Sequence, residues 1–267
     1  MSNIMIDQEL RIKQQALFEL LCAFDRFAKR KNINYFISAG TLLGAVKYNN
    51  FIPWDDDLDI YIRRADFEKI KKNFCDLERS GLYLIKVFFN DRLVCKDQNT
   101  WSNFLDISVL DNCPDSKIKF KLVLFFQLLL RASLYDKIIL NQNTALEKIN
   151  FIIRYGLSRI VKLILNKKKI YFLQSVCSTY FSKSESKYLY LSSSDTRYLP
   201  VKFSKKWFER VKLFKFNSKF FPGSAFYKEY LCQQYGDIQK LPPLELQRPQ
   251  HLGLSNFIFD YYQDDGF

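Results

Sequence analysis

The sequence is poor in turn-forming residues and nearly devoid of histidine. Its 267 residues include 8 glycines and 7 prolines, too few for the many tight turns of a β-sandwich or a β-barrel. The single histidine, and six cysteines without a CxxC pair, argue against a structural zinc site. We instead expect the scattered cysteines to be buried free thiols of a reducing compartment.

Long apolar runs are also missing. The longest uncharged apolar stretch, Leu122–Leu130, is less than half of the roughly 20 residues that a membrane-spanning helix needs. The N-terminal sequence MSNIMIDQEL contains no apolar signal core. We therefore expect a cytoplasmic protein without a signal peptide or a transmembrane span, at most peripheral at the inner face of the membrane.

Charge is distributed unevenly along a chain of otherwise globular composition. The formal net charge is +13, with 48% hydrophobic and 26% charged residues, which excludes disorder. Residues 117–169 carry 12 basic and 2 acidic side chains, whereas residues 1–116 carry 16 and 17. A basic segment of this kind suits an anionic membrane surface or a nucleic acid.

Periodicity predicts an α+β protein with a helical extension. Helical spacing covers residues 7–31, and short strands follow at Tyr35–Ile37 and Asp57–Ile62. The other predicted elements are a short helix after Gly40, a helix over Ala65–Phe74, strands at Leu82–Phe89, Leu93–Cys95 and Phe104–Leu110, helices over 117–181, a loop at Ser182–Pro200 and a helix over Phe226–Tyr235. The predicted organisation is a core over 1–116, a basic helical extension over 117–200, and a C-terminal part over 201–267 that completes the core.

An acidic cluster carries the strongest chemical signal. In Trp54-Asp55-Asp56-Asp57-Leu58-Asp59, four carboxylates repel one another unless a cation is present. On a strand, Asp57 and Asp59 point to the same face, and two such carboxylates bind a hard cation such as Mg²⁺ or Mn²⁺. The simpler alternative is an acidic turn in contact with solvent.

Two further features favour the metal site. Ser38-Ala39-Gly40-Thr41 ends a strand and opens a helix, whose N-terminal amides attract phosphate, although the same pattern also describes an ordinary helix cap. Asp106 lies inside an apolar strand, where a carboxylate needs a partner or a metal ion. Three carboxylates beside such a turn favour metal-assisted phosphoryl or nucleotidyl transfer.

These residues resemble a known family. Residues 38–46 (SAGTLLGAV) followed by residues 51–60 (FIPWDDDLDI) resemble the signature of the LicD family, phosphocholine transferases of bacterial surface glycans that are related to fukutin-type proteins. Leu105-Asp106-Ile107 resembles the family's third acidic strand, and Tyr235-Gly236-Asp237 with the segment up to His251 resembles its C-terminal motif. Tyr48-Asn49-Asn50 departs from the histidine and glycine that many members carry there.

The resemblance implies a fold and a set of roles. The fold is a nucleotidyltransferase core of the DNA polymerase beta type, with a divalent metal and a CDP-activated donor such as CDP-choline. Carried over, Asp57, Asp59 and Asp106 are the catalytic carboxylates and metal ligands, and Gly40 and Thr41 form the phosphate-binding turn. The remaining candidates are Lys47 for phosphate binding, and Trp54, Asp55, Asp56, Arg248 and His251 as substrate contacts.

The basic segment contains a candidate amphipathic helix. Its polar face is expected to contain Arg154, Ser158, Arg159, Lys162 and Lys169, and its apolar face Ile153, Leu157, Ile160, Val161, Ile164 and Leu165. Such a helix suits the surface of an anionic membrane. The alternative is a helix whose apolar face packs in the core while its basic face meets solvent.

These observations favour a metal-dependent phosphotransferase. We expect it to move phosphocholine, or another phospho-alcohol, from a CDP-alcohol to a hydroxyl of a surface-glycan precursor, with a lipid-linked precursor as one form of the acceptor. One alternative is a nucleotidyltransferase that adds NMP to a sugar, an antibiotic or a protein. Another is a non-catalytic protein that binds membrane or nucleic acid. Nucleic acid is the less favoured partner, because the positive charge lies outside the acidic motif.

Overall fold

The computed structural model describes residues 2–87, 90–95, 103–114, 116–134, 145–180, 185–192, 202–249 and 260–261. The chain divides into two compact units, Met1–Leu110 with Phe203–Phe267, and Asp111–Lys202. Both helices and strands are present, in agreement with the mixed composition expected from the sequence.

The elements follow one another in the order of the chain. The helices are α1 (Ser2–Arg30), α2 (Ala39–Tyr48), α3 (Arg64–Lys72), α4 (Phe74–Arg79), α5 (Lys117–Leu134), α6 (Ala145–Ile164), α7 (Lys167–Thr179) and α8 (Tyr227–Tyr235). The strands are β1 (Tyr35–Ile37), β2 (Leu58–Arg63), β3 (Leu82–Val87), β4 (Asn90–Cys95), β5 (Leu105–Asn112), β6 (Tyr188–Leu191), β7 (Lys202–Ser204), β8 (Val211–Phe216), β9 (Lys219–Ser224) and β10 (Asp260–Tyr261). Short 3₁₀ turns lie at Lys205–Phe208 and Leu244–Leu246.

A mixed sheet organises the first unit, with strand order β1-β2-β5-β4-β3-β10. β2 and β5 run parallel, whereas the other neighbours in this order are antiparallel. Leu58, Ile60 and Ile62 of β2 are fully buried. Because β2 has hydrogen-bonded neighbours on both sides, the backbone around Asp59 is held firmly in place.

The predicted N-terminal helix is confirmed. α1 ends at Arg30, one residue before the predicted end, and its apolar residues at helical spacing form part of the core. The residues concerned are Leu17, Leu20, Leu21, Phe24, Phe27 and Ala28, each fully or almost fully buried. The strand predictions at Tyr35–Ile37 and Asp57–Ile62 are also confirmed, the second with a shift of one residue.

Two sequence predictions are wrong in detail, and one helix was missed. The helix expected over Ala65–Phe74 is confirmed as α3, which ends at Lys72, whereas α4 from Phe74 to Arg79 was not predicted. The loop expected over Ser182–Pro200 contains β6, whose Leu189 and Tyr190 are buried. Of the six cysteines expected in the core, Cys75 and Cys232 are exposed.

The β8–β9 hairpin was not predicted. Its two strands pair from Val211 opposite Ser224 to Phe216 opposite Lys219, and Asn217 in the connecting turn adopts a positive φ of 54°. Asparagine tolerates this conformation better than most residues, so Asn217 between two aromatic strands was an available signal.

The second unit contains α5, α6, α7 and β6, as the helical prediction for 117–181 requires. The rings of Phe120 and Tyr190 pack edge to face, with their centroids 5.6 Å apart. Buried Gln127 hydrogen-bonds to the hydroxyls of both Ser178 and Tyr190 at 3.1 Å. None of the helices in the described residues is long and apolar enough to cross a membrane.

Candidate functional site

The turn that opens α2 has an unusual backbone. Ala39 adopts a positive φ of 44°, a conformation that residues other than glycine rarely take. Its amide donates a hydrogen bond to the hydroxyl of Tyr230, 2.9 Å away. The neighbouring amide, of Ser38, donates to the carbonyl of Asp59 on β2 at 3.1 Å. The turn is therefore attached both to the acidic strand and to α8.

Gly40 allows a carboxylate to approach this turn closely. A Cβ at Gly40 would lie 2.7 Å from Oδ2 of Asp55, a separation that real Cβ atoms do not show. The amides of Gly40 and Thr41 are in the first turn of α2, where they have no acceptor within the helix. Phosphate binding by these amides stays a prediction, and the group that lies beside Gly40 in the structure is the Asp55 carboxylate.

Thr41 has a structural contact as well. Its side chain is buried, and its hydroxyl accepts a hydrogen bond from the amide of Asp59 at 2.8 Å. In this position the hydroxyl connects α2 to β2, so only the backbone amide of Thr41 remains a candidate for phosphate binding.

Asp59 and Asp106 are brought together by the parallel pairing of β2 and β5, in which they are directly opposite each other. Burial raises the pKa of Asp59 well above its usual range. The charges of Asp57, Asp106 and Asp55 raise this pKa further, in that order, and Arg92 opposes them. The carboxylates named from the sequence are therefore close enough to interact strongly.

Asp55 is the second carboxyl group with a perturbed pKa. Burial is the largest cause of a pKa raised to about 8, followed by the charge of Asp57 and a hydrogen bond between the two side chains. Two neighbouring carboxylates share a proton when the positive charges around them are too few to compensate both negative charges. Such a donor set fits a divalent cation, which would replace the shared proton.

Asp106 has a guanidinium partner that the sequence did not suggest. Arg92 of β4 is directly opposite Asp106, with its Nε 2.6 Å from Oδ1 and an Nη 3.4 Å from Oδ2. The same guanidinium stacks on the ring of Phe104 at 3.7 Å. Within the described residues, no three His, Cys, Asp or Glu side chains form a ready-made metal site.

Asp56 has a basic partner on α1. It is buried and forms an ion pair with buried Lys13 of α1, with Nζ and Oδ2 3.1 Å apart. The side chain of Gln14 also donates to the carbonyl of Asp55 at 2.8 Å. These contacts fasten the acidic loop to α1, and a substrate contact of Asp56 stays a prediction.

The remaining candidate substrate contacts lie in different surroundings. Lys47 donates to the carbonyl of Gln239 at 3.4 Å, Trp54 is half-buried, and Arg248 is exposed. His251 lies outside the described residues.

Three tyrosines near the site were not among the candidates. Tyr61 of β2 hydrogen-bonds to both Tyr230 and Gln234 of α8. Tyr235 has 44% of its surface exposed, but burial of its hydroxyl raises its pKa well above the usual value, and the charges of Asp59, Tyr61 and Asp55 raise it further. The motif Tyr235-Gly236-Asp237 was noticed in the sequence, but the effect of the carboxylate charges on the pKa of its tyrosine was not.

The fold and the site define a mixed-sheet protein with a carboxylate cluster next to a helix N-terminus. Residues 32–124 match the family model described as LicD/FKTN/FKRP, nucleotidyltransferase domain. This segment is therefore a LicD-family domain, which confirms the resemblance drawn from the motifs.

A curated relative extends this similarity over most of the chain. The lipopolysaccharide cholinephosphotransferase LicD of Haemophilus influenzae is 27% identical over 271 aligned positions, covering 91% of this chain and 96% of the relative. Two uncharacterised rickettsial proteins match shorter segments. The one from Rickettsia typhi is 41% identical over 24% of this chain and 22% of its own length, and the one from Rickettsia prowazekii is 38% identical over 26% of each.

Proposed function

We propose that this protein transfers phosphocholine, or a similar phospho-alcohol, from a CDP-activated donor to a hydroxyl of a bacterial surface glycan. The observation that carries the proposal is the array of Asp57, Asp59 and Asp106 next to the first turn of α2, inside a LicD-family domain. The similarity to a lipopolysaccharide cholinephosphotransferase over 91% of the chain supports the choice of substrate class.

In this proposal, the backbone amides of Gly40 and Thr41 bind a phosphate of the donor. An acceptor oxygen attacks the phosphorus that carries the alcohol, the bond from that phosphorus to the CMP oxygen breaks, and CMP leaves. The acceptor loses its proton to a carboxylate or to solvent. Because such transfers depend mainly on position and charge, fixed amides and carboxylates account for most of what the protein must supply.

We also propose that Asp57 and Asp59 hold Mg²⁺ or Mn²⁺. Their oxygen donors, and the raised pKa of Asp59 and Asp55, fit a site that needs positive charge. When bound, the ion supplies charge neutralisation for the diphosphate and the departing CMP. Arg92 fixes the orientation of Asp106, the candidate third ligand or proton acceptor, through its two contacts. We also propose that the core has a nucleotidyltransferase fold of the DNA polymerase beta type.

A second candidate function is nucleotidyl transfer, which the description of the matching family model favours. The two reactions leave different groups on the acceptor. In the first, the acceptor gains the phospho-alcohol and CMP is released. In the second, the acceptor gains a nucleotide and pyrophosphate or an alcohol phosphate is released.

One experiment separates these functions. The purified protein is incubated with Mg²⁺ or Mn²⁺, a lipopolysaccharide acceptor, and CDP-choline, CDP-ribitol, CDP-glycerol, CTP or ATP in turn, and the acceptor is analysed by mass spectrometry. We expect a mass increase of one phospho-alcohol, with loss of at least about 100-fold in rate for Asp59→Asn, because the charge that holds the metal is removed. A nucleotide on the acceptor would support the second function, and no product with any donor would contradict both.

The second unit supports a further part of the proposal, contact with an anionic membrane. Four apolar side chains of α6 are exposed, namely Ile153 at 52%, Leu157 at 39%, Ile160 at 53% and Ile164 at 72%, whereas Ser158 is completely buried. The apolar face of this helix is thus directed outward, the reverse of a core-packed helix with a solvated basic face.

The basic residues of the expected polar face differ in their exposure to solvent. Arg159 is half-buried, with its guanidinium 4.5 Å from the centroid of the Tyr155 ring, whereas Lys162 and Lys169 are exposed. Exposed apolar residues continue on the neighbouring helices, at Leu122 and Phe126 of α5 and at Phe172 of α7. An outward apolar face within a segment of 12 basic and 2 acidic residues is complementary to an anionic lipid surface.

A further inference from the structure

The conformation of Ala39 requires an explanation. Its φ of 44° is unfavourable for a residue with a Cβ, and such residues persist only where their surroundings hold them. Ala39 opens α2 directly before Gly40 and Thr41, whose amides are the candidate phosphate donors. Whatever holds Ala39 in this conformation therefore also sets the direction of those amides.

The contact that holds it comes from the other end of the chain. The Ala39 amide donates to the hydroxyl of Tyr230 at 2.9 Å, and both residues are buried. Tyr230 is completely buried among aromatic rings, with its centroid 5.8 Å from that of Tyr61 and 5.6 Å from that of Phe203. The ring has no room to turn, so the hydroxyl is a fixed acceptor for this amide.

The same hydroxyl connects the turn to the acidic strand. Tyr230 hydrogen-bonds to the hydroxyl of Tyr61, which is two residues beyond Asp59 on β2. The turn is also bonded directly to Asp59, through the Ser38 amide at 3.1 Å and the Thr41 hydroxyl at 2.8 Å. Tyr230 thus completes a set of bonds that fixes the turn relative to the carboxylates.

A polar atom in the turn points to a ligand. The Ser38 hydroxyl is completely buried, and among the described residues it has no hydrogen-bond partner. As the residue before α2, serine usually caps the helix, but here its side chain makes no capping bond. An unpartnered buried hydroxyl at a helix N-terminus is consistent with a turn completed by a bound group.

We propose that Tyr230 is a positioning residue, which holds Ala39 in its left-handed conformation and so directs the Gly40 and Thr41 amides towards a phosphate of the donor. This inference rests on the proposed function in one respect, that the turn binds the phosphate of a CDP-activated donor. The hydroxyl of Tyr230 acts through the backbone and does not touch the reacting atoms.

Tyr230→Phe tests the proposal, because it removes the hydroxyl and keeps the ring. We expect the Ala39 amide to exchange with solvent about tenfold faster in nuclear magnetic resonance measurements, as for the loss of one buried hydrogen bond. We expect KM for CDP-choline to rise by about the same factor, while KM for the acceptor changes little.

Tyr35→Phe is the matched control. Tyr35 is also a buried tyrosine of the first unit, and its hydroxyl donates to Asp25 at 2.9 Å and not to the turn. The control should lose stability to a similar degree as Tyr230→Phe, with unchanged exchange at Ala39 and unchanged KM for CDP-choline. Equal changes in both variants would mean that general destabilisation is the cause, and would overturn the proposal.

Ala39→Gly supplies a second test, because glycine adopts a positive φ without penalty. In this background, the effect of Tyr230→Phe on donor KM should shrink to about twofold, since the conformation no longer needs to be enforced. An undiminished effect would overturn the proposal.

The two proposals fail in different ways. A wild-type protein that neither binds nor turns over CDP-choline contradicts the proposed function, while exchange at Ala39 still reports whether Tyr230 holds the turn. Normal exchange at Ala39 in Tyr230→Phe overturns the role of Tyr230, whatever the donor proves to be.

Discussion

Arg92 and Asp106 form a two-point ion pair across adjacent antiparallel strands, and Asp106 is at the same time directly opposite Asp59 on its other side. A basic group thus lies at one edge of the carboxylate cluster. Arg92 contacts Asp106 directly, and its charge also opposes the rise in the pKa of Asp59. We expect Arg92 to set the orientation of Asp106.

Asp106→Asn tests the role of this carboxylate. The amide keeps the shape of the side chain but loses the charge, so we expect kcat to fall by about 100-fold or more with little change in KM for the donor. Steady-state kinetics with varied CDP-choline measures both constants. A collapse of donor affinity at nearly normal kcat would mean that Asp106 holds the donor in the ground state.

Asp55 makes the stability of the protein depend on pH. Its pKa is raised from an ordinary value near 3.8 to about 8, mainly by burial and by Asp57, so the folded protein binds this proton more tightly than the unfolded chain does. The resulting stabilisation is complete below pH 4 and is lost as pH rises towards 8. Between pH 5 and pH 8, the free energy of unfolding attributable to this group should therefore decrease.

Denaturant unfolding of the wild type and of Asp55→Asn at several pH values measures this effect. The variant should show a flatter profile over the same range, because the amide cannot titrate. Mg²⁺ should raise the melting temperature more at pH 8 than at pH 6, since the ion competes with the shared proton. Identical pH profiles for the two proteins would show that Asp55 is not the group responsible.

Gly44 is required by the packing of α2. A Cβ at this position would lie 2.5 Å from the carbonyl oxygen of Asn50 and 2.9 Å from the amide nitrogen of Ile52, both backbone atoms that cannot easily move. Gly44→Ala should therefore destabilise the protein by about 1–3 kcal/mol, as overpacking does. Gly156 of α6 is the matched control, because a Cβ there meets nothing within 4 Å.

Gly156→Ala should stabilise the protein by about 0.5–1 kcal/mol, as expected for a helical glycine. Thermal unfolding of both variants measures these changes in stability. If Gly44→Ala is as stable as Gly156→Ala, the close approach of α2 to the segment before the acidic loop is not a real constraint.

The sequence singled out the carboxylates because their pattern is local. Asp59 follows the buried Leu58 on β2, Asp57 directly precedes that strand, and Asp106 stands out as a charge within an apolar strand. The partners of these residues are not local. Arg92 meets Asp106 only through the register of β4 and β5, and Tyr230 meets Ala39 across 191 positions.

The contrast between local patterns and distant partners also explains why the exposure of α6 was not predicted. Periodicity predicted one amphipathic helix, but Lys169 of its polar face lies on α7, and which face of α6 is buried depends on the helices that pack against it. The sequence could not reveal that Ser158 faces inward and Ile160 outward. The ion pair of Asp56 could not be predicted for a similar reason, since its partner Lys13 lies 43 residues away on α1.

The basic residues beside the apolar face of α6 predict contact with an anionic membrane. The exposed lysines at the end of α6 and the start of α7 lie next to the outward apolar face, and each is worth at most about 1 kcal/mol near an anionic surface. Together they are sufficient for reversible association, which salt should weaken. Sedimentation with vesicles should therefore show binding to anionic lipid, little binding to neutral lipid, and release as salt increases.

Three variants separate charge from apolar contact. Replacing the α6–α7 lysines by glutamine should weaken binding to anionic vesicles, whereas replacing four exposed lysines of the first unit should change it far less, although the net charge falls equally. The first set is Lys162, Lys167, Lys168 and Lys169, and the control set is Lys72, Lys206, Lys215 and Lys228. Ile160→Ser with Ile164→Ser should also weaken binding, because both side chains are more than half exposed and available for insertion. Equal losses in the two lysine sets would indicate an effect of net charge alone, and binding to neither type of vesicle would leave the apolar face of α6 to a protein partner.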